Sequence, residues 1–97
     1  MATYLLLTRF TQQGVATIKD GPARLDAARE QLKGLGAELK NFYLSIGQYD
    51  AVVVVEAPDD ETVARASLAV SALGNVRIET LRAFTEDEYR ELVGSLP

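Results

Sequence analysis

Four segments of the chain have the alternating or continuous apolar pattern that is typical of β-strands. They span residues 3–10, 37–46, 50–57 and 75–84. The second alternates with a period of two, whereas the first and third are apolar at both alternating sets of positions. The pattern therefore predicts four strands, and two of them should present apolar side chains on both faces of a sheet.

Helical spacing follows the first strand. Thr11 can cap a short turn of helix that extends to residue 18. The main helix begins at Asp20-Gly21-Pro22, where the carboxylate can cap and the proline suits the first helical position, and Gly34 or Gly36 can end it. Its apolar positions are Leu25, Ala28, Leu32 and Leu35. This helix should cover one face of the sheet.

Two further helices have clear start signals. Pro58-Asp59 stops the third strand and caps a helix from residue 60 to 73, which Gly74 terminates. Thr85 followed three places later by Glu88 forms a capping box that opens the last helix. The positions predicted to face inward are Val63, Ala66, Val70 and Leu73 in the first of these helices, and Tyr89, Leu92 and Val93 in the second.

The order of elements is β-α-β-β-α-β followed by a terminal helix, which matches the ferredoxin-like split βαβ unit of an α+β protein. With 97 residues and no linker or low-complexity segment, the chain is expected to form one domain over residues 1–97. Right-handed crossovers place both crossover helices on the same face of a four-stranded antiparallel sheet. The other face is then left bare.

A bare face is a problem for this chain because its first and third strands are apolar on both sides. The exposed patch would measure several hundred Å², which is more than soluble monomers usually expose. Hiding roughly 500 Å² per subunit contributes on the order of 10 kcal/mol before the entropy of association is subtracted. Either the terminal helix folds across the face or a second copy of the chain covers it. We expect the second copy, so the chain should form a homodimer or a higher homo-oligomer.

Composition removes several classes of function. The net charge is −4 and the basic residues are scattered, so we expect no nucleic acid partner. The apolar runs are too short to span a membrane. The chain has neither cysteine nor histidine, so disulfides, thiolate chemistry and the commonest metal ligand are missing, and we expect no metal and no cofactor. These features are compatible with a soluble protein of a reducing cytoplasm.

The stretch Gly47-Gln48-Tyr49-Asp50 lies between the second and third strands and has two interpretations. In the first it is a hairpin turn in which glycine allows a positive φ, the aspartate binds nearby backbone amides and the tyrosine packs over an edge. In the second, Tyr49 and Asp50 lie at the mouth of a cavity between two sheets, where they bind or deprotonate a ligand. Asp50 is then the candidate catalytic base.

Further candidates for a ligand site follow from strand alternation. If Phe42 and its alternates face the helices, Tyr43 and Ser45 face the partner sheet. If Leu81 faces the helices, Thr80 and Arg82 face the partner sheet as well. An arginine there needs an anion, since an unpaired polar group costs ~1 to 3 kcal/mol. That anion would be Asp50, Glu56 or Glu79, or the carboxylate or phosphate of a small anionic ligand. The predicted ligand-binding set is therefore Tyr43, Ser45, Tyr49, Asp50, Thr80 and Arg82.

The stretch FYLSIGQYDAVVVVEAPDDE, residues 42–61, and the stretch GNVRIETLRAFTEDEY, residues 74–89, resemble the GYD domain family, which is named for the glycine, tyrosine and aspartate present here as Gly47, Tyr49 and Asp50. The segments TYLLLTRFTQQG and IKDGPARLDAA also resemble the family pattern. The resemblance implies a ferredoxin-like subunit of the dimeric α/β barrel superfamily. It implies no activity.

Three hypotheses about function follow. The chain is a homo-oligomeric small-molecule binding module with the ligand in the cavity between two sheets. Alternatively, it is a cofactor-free enzyme of monooxygenase or isomerase type, with Asp50 as base and Arg82 holding an anion. As a third hypothesis, it is an assembly protein whose cavity is filled by side chains.

Overall fold

The computed structural model describes all residues from 1 to 97. The predicted ferredoxin-like order with an additional C-terminal helix is confirmed. Along the chain the elements are β1 (Ala2–Phe10), α1 (Gln12–Ala16), a 3-10 turn (Ile18–Asp20), α2 (Gly21–Gly34), β2 (Glu38–Leu44), β3 (Ala51–Ala57), α3 (Asp60–Ser71), β4 (Val76–Ala83) and α4 (Glu86–Gly94). The four strands form one antiparallel sheet in the order β2-β3-β1-β4, which places the two most apolar strands at its centre.

The core lies between one face of this sheet and the helices α2 and α3. Alternate residues of the central strands are buried against helix residues, because side chains along a strand point to opposite faces in turn. The principal core side chains are Tyr4 and Leu6 of β1, Val53 and Val55 of β3, Leu32 of α2, and Val63 and Ala66 of α3. We call this side of the sheet the helix face.

The ends of the crossover helices follow the predicted signals in most places. The Asp59 carboxylate accepts a hydrogen bond from the Thr62 backbone N–H at 2.8 Å and caps α3. Gly36 and Gly74 have φ values of +93° and +88°, which suit glycine in the turn after a helix. The predicted cap by the Asp20 carboxylate is wrong, because the 3-10 turn runs directly into α2 and leaves Asp20 with helical backbone angles and no side-chain cap bond.

A β-bulge interrupts the pairing of β2 with β3. Leu39 lies opposite Val55 and Asn41 lies opposite Val54, so Lys40 is an extra residue with no partner of its own. The bulge shifts the alternation of side chains between the two faces by one residue. Leu39 and Phe42 therefore share the helix face although they are three residues apart, a spacing that simple alternation would place on opposite faces.

The other side of the sheet, which we call the bare face, carries a second set of apolar side chains. Leu5, Leu7, Val52 and Val54 are only half-buried there, and Leu81 is 40% exposed. The chain exposes 6552 Å², against about 5,500 Å² expected for a compact monomer of this mass. Its radius of gyration is 14.5 Å, against about 12.5 Å expected for a compact domain of this length. The chain is more extended than its length requires.

Part of this extension comes from α4. Tyr89, Leu92 and Val93, predicted to face inward, are 62%, 51% and 47% exposed, and no residue of α4 is buried. The prediction is wrong because helical spacing identifies an apolar side but not whether the same chain offers a surface to cover it. Leu73, predicted to face the core at the end of α3, is likewise exposed, since the helix ends two residues earlier.

The predicted orientation of β4 is also wrong. Arg82 lies opposite Tyr4 and Thr80 lies opposite Leu6, so both belong to the helix face. Leu81 lies opposite Leu5 on the bare face. The sequence could not resolve this because the apolar residues of β4 change sides along the strand: Val76 and Ile78 share a face with Thr80 and Arg82, whereas Leu81 and Ala83 share the other.

Candidate functional site

The GQYD segment forms a compact loop between β2 and β3. The Ser45 hydroxyl donates to the Tyr49 carbonyl at 2.7 Å, and the Ser45 backbone N–H donates to the Asp50 carbonyl at 2.9 Å. Gly47 has a φ of +123°, which a residue with a side chain rarely adopts. The loop is therefore held by its own backbone and by Ser45, and the predicted positive φ is confirmed.

Asp50 connects this loop to the end of β1. Its backbone N–H donates to the Thr8 carbonyl at 2.9 Å, and its carboxylate Oδ2 accepts from the Phe10 N–H at 2.8 Å. The two bonds extend the pairing of β1 and β3 beyond the last paired residues, with the side chain in place of a backbone carbonyl. This arrangement matches the turn interpretation of the motif. Catalysis by Asp50 stays a prediction.

Tyr49 extends from the same loop to the bare face. Its hydroxyl donates to Glu79 Oε1 of β4 at 3.2 Å, and the Arg9 guanidinium lies 4.8 Å from the centre of its ring. Arg9 Nε also donates to the Gln48 carbonyl at 3.0 Å. Together Arg9, Tyr49 and Glu79 form a polar group at one end of the bare face. Sequence reasoning did not select Arg9, although it alternates with Leu5 and Leu7 and so shares their face.

The six predicted ligand-binding residues do not form one site within the chain. Tyr43 is 57% exposed on the bare face, and Ser45, Tyr49 and Asp50 are in the loop at the end of the sheet. Thr80 and Arg82 are on the helix face. The Thr80 hydroxyl lies 3.2 Å from the Ser67 hydroxyl of α3, so it contacts a helix and not the bare face.

Arg82 does not contact the carboxylates predicted for it. Its guanidinium lies 4.3 Å from the centre of the Phe84 ring and 5.6 Å from that of Tyr4. It donates to the Thr3 carbonyl at 3.3 Å and to the Ala83 carbonyl. Aromatic rings and carbonyl oxygens thus take the place of Asp50, Glu56 and Glu79, because the register of β4 turns Arg82 to the opposite side of the sheet from Glu79.

Arg82 instead borders an open cleft at the start of α3. The cleft has a volume of about 500 Å³ and is lined by Ala2, Tyr4, Pro58, Asp59, Asp60, Glu61 and Arg82. The Tyr4 hydroxyl donates to the Asp60 carboxylate at 2.5 Å, and this bond, with burial of the ring, raises the pKa of Tyr4 above its usual value. Hydrogen bonds from the Thr62 hydroxyl and N–H lower the pKa of Asp59.

The acidic residues of this cleft do not form a metal centre. No group of three or more carboxylates in the chain has an arrangement that could hold a metal ion.

No helix combines the length and the apolar character that crossing a membrane requires.

The family model of the GYD domain matches residues 4–93. The chain belongs to the GYD domain family. Over 84 residues, this GYD domain protein is 37% identical to the "Glutamine synthetase and cystathionine beta-lyase binding protein" of Thermus thermophilus, a match that covers 86% of this chain and 88% of that protein.

Two solved structures are similar to the GYD domain protein. A crystal structure of a Thermus thermophilus protein has a TM-score of 0.57 and 28% identity, covering 88% of this chain and 95% of that chain. A feast or famine regulatory protein of M. tuberculosis, solved in complex with L-methionine, has a TM-score of 0.63 and 18% identity. This match covers 90% of the GYD domain protein but 54% of the regulator, and it shows a shared fold.

Proposed function

We propose that this GYD domain protein is a homodimeric binding protein without catalytic activity, and that its partner is a metabolic enzyme such as glutamine synthetase. The observation that carries the proposal is the 37% identity, over most of both chains, to a protein named for binding glutamine synthetase and cystathionine β-lyase. The geometry adds support, because Asp50, the candidate base, already accepts a hydrogen bond from a backbone amide.

The chain has two apolar surfaces that could serve the two contacts. The bare face suits a second copy of the chain. The exposed side of α4, with Tyr89, Leu92 and Val93, suits the enzyme, and Leu92 lines a shallow pocket together with Phe84. Tyrosine is one of the residues enriched among the energetic centres of protein interfaces, where truncation of a single side chain costs about 2 kcal/mol or more.

The test measures complex formation with purified glutamine synthetase from the same source organism. The two proteins should co-sediment in analytical ultracentrifugation, and Leu92→Asp should weaken the complex by about tenfold or more without dissociating the dimer. Leu68→Asp is the matched control, because Leu68 is an equally apolar, exposed residue on α3. Absence of a complex with either glutamine synthetase or cystathionine β-lyase at micromolar concentration would refute the proposal.

The second candidate function is binding of a small anionic molecule between the two sheets of a dimer. It is favoured by the polar group Arg9, Tyr49 and Glu79, which would lie inside such a chamber together with Tyr43. Thermal unfolding in the presence of a panel of small carboxylates and phosphates tests this candidate. A stabilising compound should lose its effect in Arg9→Gln and keep it in Arg29→Gln, an exposed arginine of α2. No stabilisation by any compound would leave the assembly protein as the better description.

The enzyme alternative depends on Asp50 as base. If a compound found in that panel is converted to product, Asp50→Asn should abolish turnover while retaining binding. Turnover that persists in Asp50→Asn would remove this residue from the mechanism.

A further inference from the structure

The helix α4 is held by its own sequence and not by the core. The capping box of Thr85 and Glu88 closes its first turn, and the Arg90 guanidinium donates to the Glu86 carboxylate, one turn earlier, at 2.7 Å. Isolated helices this short are marginal in water, so such local bonds decide whether they form. No residue of α4 is buried. The chain therefore presents a formed helix whose apolar side it does not cover.

Four exposed apolar side chains lie along one side of α4 and the turn that follows it. They are Tyr89, Leu92, Val93 and Leu96, at positions i, i+3, i+4 and i+7. Leu96 continues the turn because its N–H donates to the Val93 carbonyl at 3.1 Å. This is the spacing of the anchors with which an amphipathic helix binds in an apolar groove of another protein. We call this side of α4 the apolar stripe.

A shallow pocket flanks the apolar stripe on one side. It has a volume of about 340 Å³ and is lined by Phe84, Glu88, Glu91, Leu92 and Ser95. The Phe84 ring is 55% exposed, even with the Arg82 guanidinium 4.3 Å from its centre. Neither Glu88 nor Glu91 takes part in a salt bridge. The pocket therefore combines an aromatic wall with two carboxylates that have no cation bound to them.

The charge of α4 favours a basic partner over a second copy of the chain. On the other flank of the apolar stripe, the guanidinium of Arg90 offsets the carboxylate of Glu86, so the negative charge of the pocket side has no counterpart there. Four carboxylates and one guanidinium give α4 a net charge of −3, out of −4 for the whole chain. A second copy carries the same −4 and is not attracted by this charge, whereas a basic surface is.

We infer that the partner enzyme receives α4 in an apolar groove bordered on one side by lysine or arginine, and that one such basic side chain enters the pocket beside Phe84 to contact Glu91. A long basic side chain suits this pocket, because its methylene stem can pack on the ring while its charged end reaches the carboxylate. The apolar stripe supplies affinity, and the charge on one flank sets the orientation of the helix. This inference rests on the enzyme partner of the proposed function and adds the chemistry of the surface that this partner presents.

Charge reversal in the pocket tests the inference with purified glutamine synthetase from the same source organism. Glu91→Lys should weaken the complex by about tenfold or more at low salt, because two basic side chains then meet. The helix tolerates this change, since lysine is a good helix former and a cation is favourable towards the C-terminal end. The affinity of the native chain should fall by about tenfold between low salt and about 0.5 M salt, and that of Glu91→Lys should fall less.

A second variant tests the apolar stripe. Tyr89→Ala should also weaken the complex by about tenfold or more, but with the salt dependence of the native chain. Two controls make the same change of charge as Glu91→Lys at other places. Asp87→Lys alters the side of α4 opposite to the apolar stripe, and Glu30→Lys alters an exposed residue of α2. Both should weaken the complex much less, and circular dichroism verifies that each variant is folded.

The possible outcomes separate this inference from the proposed function. If a complex forms but Glu91→Lys or Tyr89→Ala binds as the native chain does, the enzyme is bound at another surface and only the inference fails. Equal effects of Glu91→Lys and Asp87→Lys also refute it, because the contact is then not specific to the pocket. If Glu91→Lys changes the oligomeric state of the chain alone, α4 contacts a second copy and the inference is overturned. Absence of any complex with the native chain removes the proposed enzyme partner and the inference together.

Discussion

Asp50 gives the sharpest test of what the family motif does. Its carboxylate accepts the Phe10 N–H at 2.8 Å and so holds the end of β1 against the loop. Asp50→Ala removes the acceptor and leaves that amide without its partner at a half-buried position. If the motif is structural, the main effect of the substitution is a loss of stability.

The size of this loss follows from the kind of bond. A hydrogen bond to a charged group contributes about 1.5–3 kcal/mol, and half-burial of Asp50 favours the lower part of that range, about 2 kcal/mol. In a domain of 60–100 residues, 1 kcal/mol corresponds to about 4–8 °C in Tm. We therefore expect Asp50→Ala to lower Tm by about 8–16 °C. Asp50→Asn retains an oxygen acceptor without the charge, so its Tm should lie between those of Asp50→Ala and the native chain.

The assay is thermal unfolding followed by circular dichroism at one fixed protein concentration, since association makes Tm depend on concentration. Asp26→Asn is the matched control, because Asp26 is an exposed residue of α2 whose contact with Arg29 is a surface salt bridge. If Asp50→Ala melts within about 2 °C of the native chain, as neutral surface substitutions do, the structural account of the motif is refuted.

Further predictions concern close packing and the Tyr4 hydroxyl. A Cβ at Gly14 would lie 2.2 Å from the Asn75 carbonyl oxygen, so Gly14→Ala should destabilise the chain by about 2 kcal/mol or more in urea unfolding. Gly34→Ala meets nothing within 4 Å in α2 and should instead stabilise it by up to about 1 kcal/mol, and equal effects of the two would contradict the packing. The pKa of Tyr4 is higher in the folded chain than the value of 10.0 for a free tyrosine. The protonated hydroxyl therefore contributes stability below pH 10.0, and this contribution is lost as the pH rises through the pKa of the folded state. Tyr4→Phe should reduce this alkaline loss in urea unfolding as a function of pH, and an unchanged profile would exclude the bond to Asp60 as its cause.

The elements and their ends could be predicted because their signals are local. Thr85 and Glu88 form the expected reciprocal capping box, with Thr85 Oγ accepting from the Glu88 N–H and the Glu88 carboxylate accepting from the Thr85 N–H. Asp59 caps α3, and Gly47 has its positive φ. Each of these features depends on residues within three positions of one another, so no knowledge of the fold is needed.

The candidate site is harder to predict from the sequence, because it depends on the face of the sheet to which each strand residue points. One residue more or less in the pairing reverses a whole strand, and β4 has apolar residues in both alternating sets. Strand alternation consequently predicts the wrong face for Thr80 and Arg82. It does not identify Arg9 for a related reason, since its neighbours Tyr49 and Glu79 are 40 and 70 positions away in the chain. Only the paired sheet brings these three side chains together.

The bulge at Lys40 has a consequence for the behaviour of the protein in concentrated solution. β2 is an edge strand, and its free side could accept a strand from another molecule, which is how fibrils grow. An extra, charged residue twists that edge and breaks the regular spacing of its N–H and C=O groups. Addition of strands at this edge is therefore discouraged. A contact through the bare face would cover that face with one partner, whereas addition of strands at the free side of β2 could be repeated without limit.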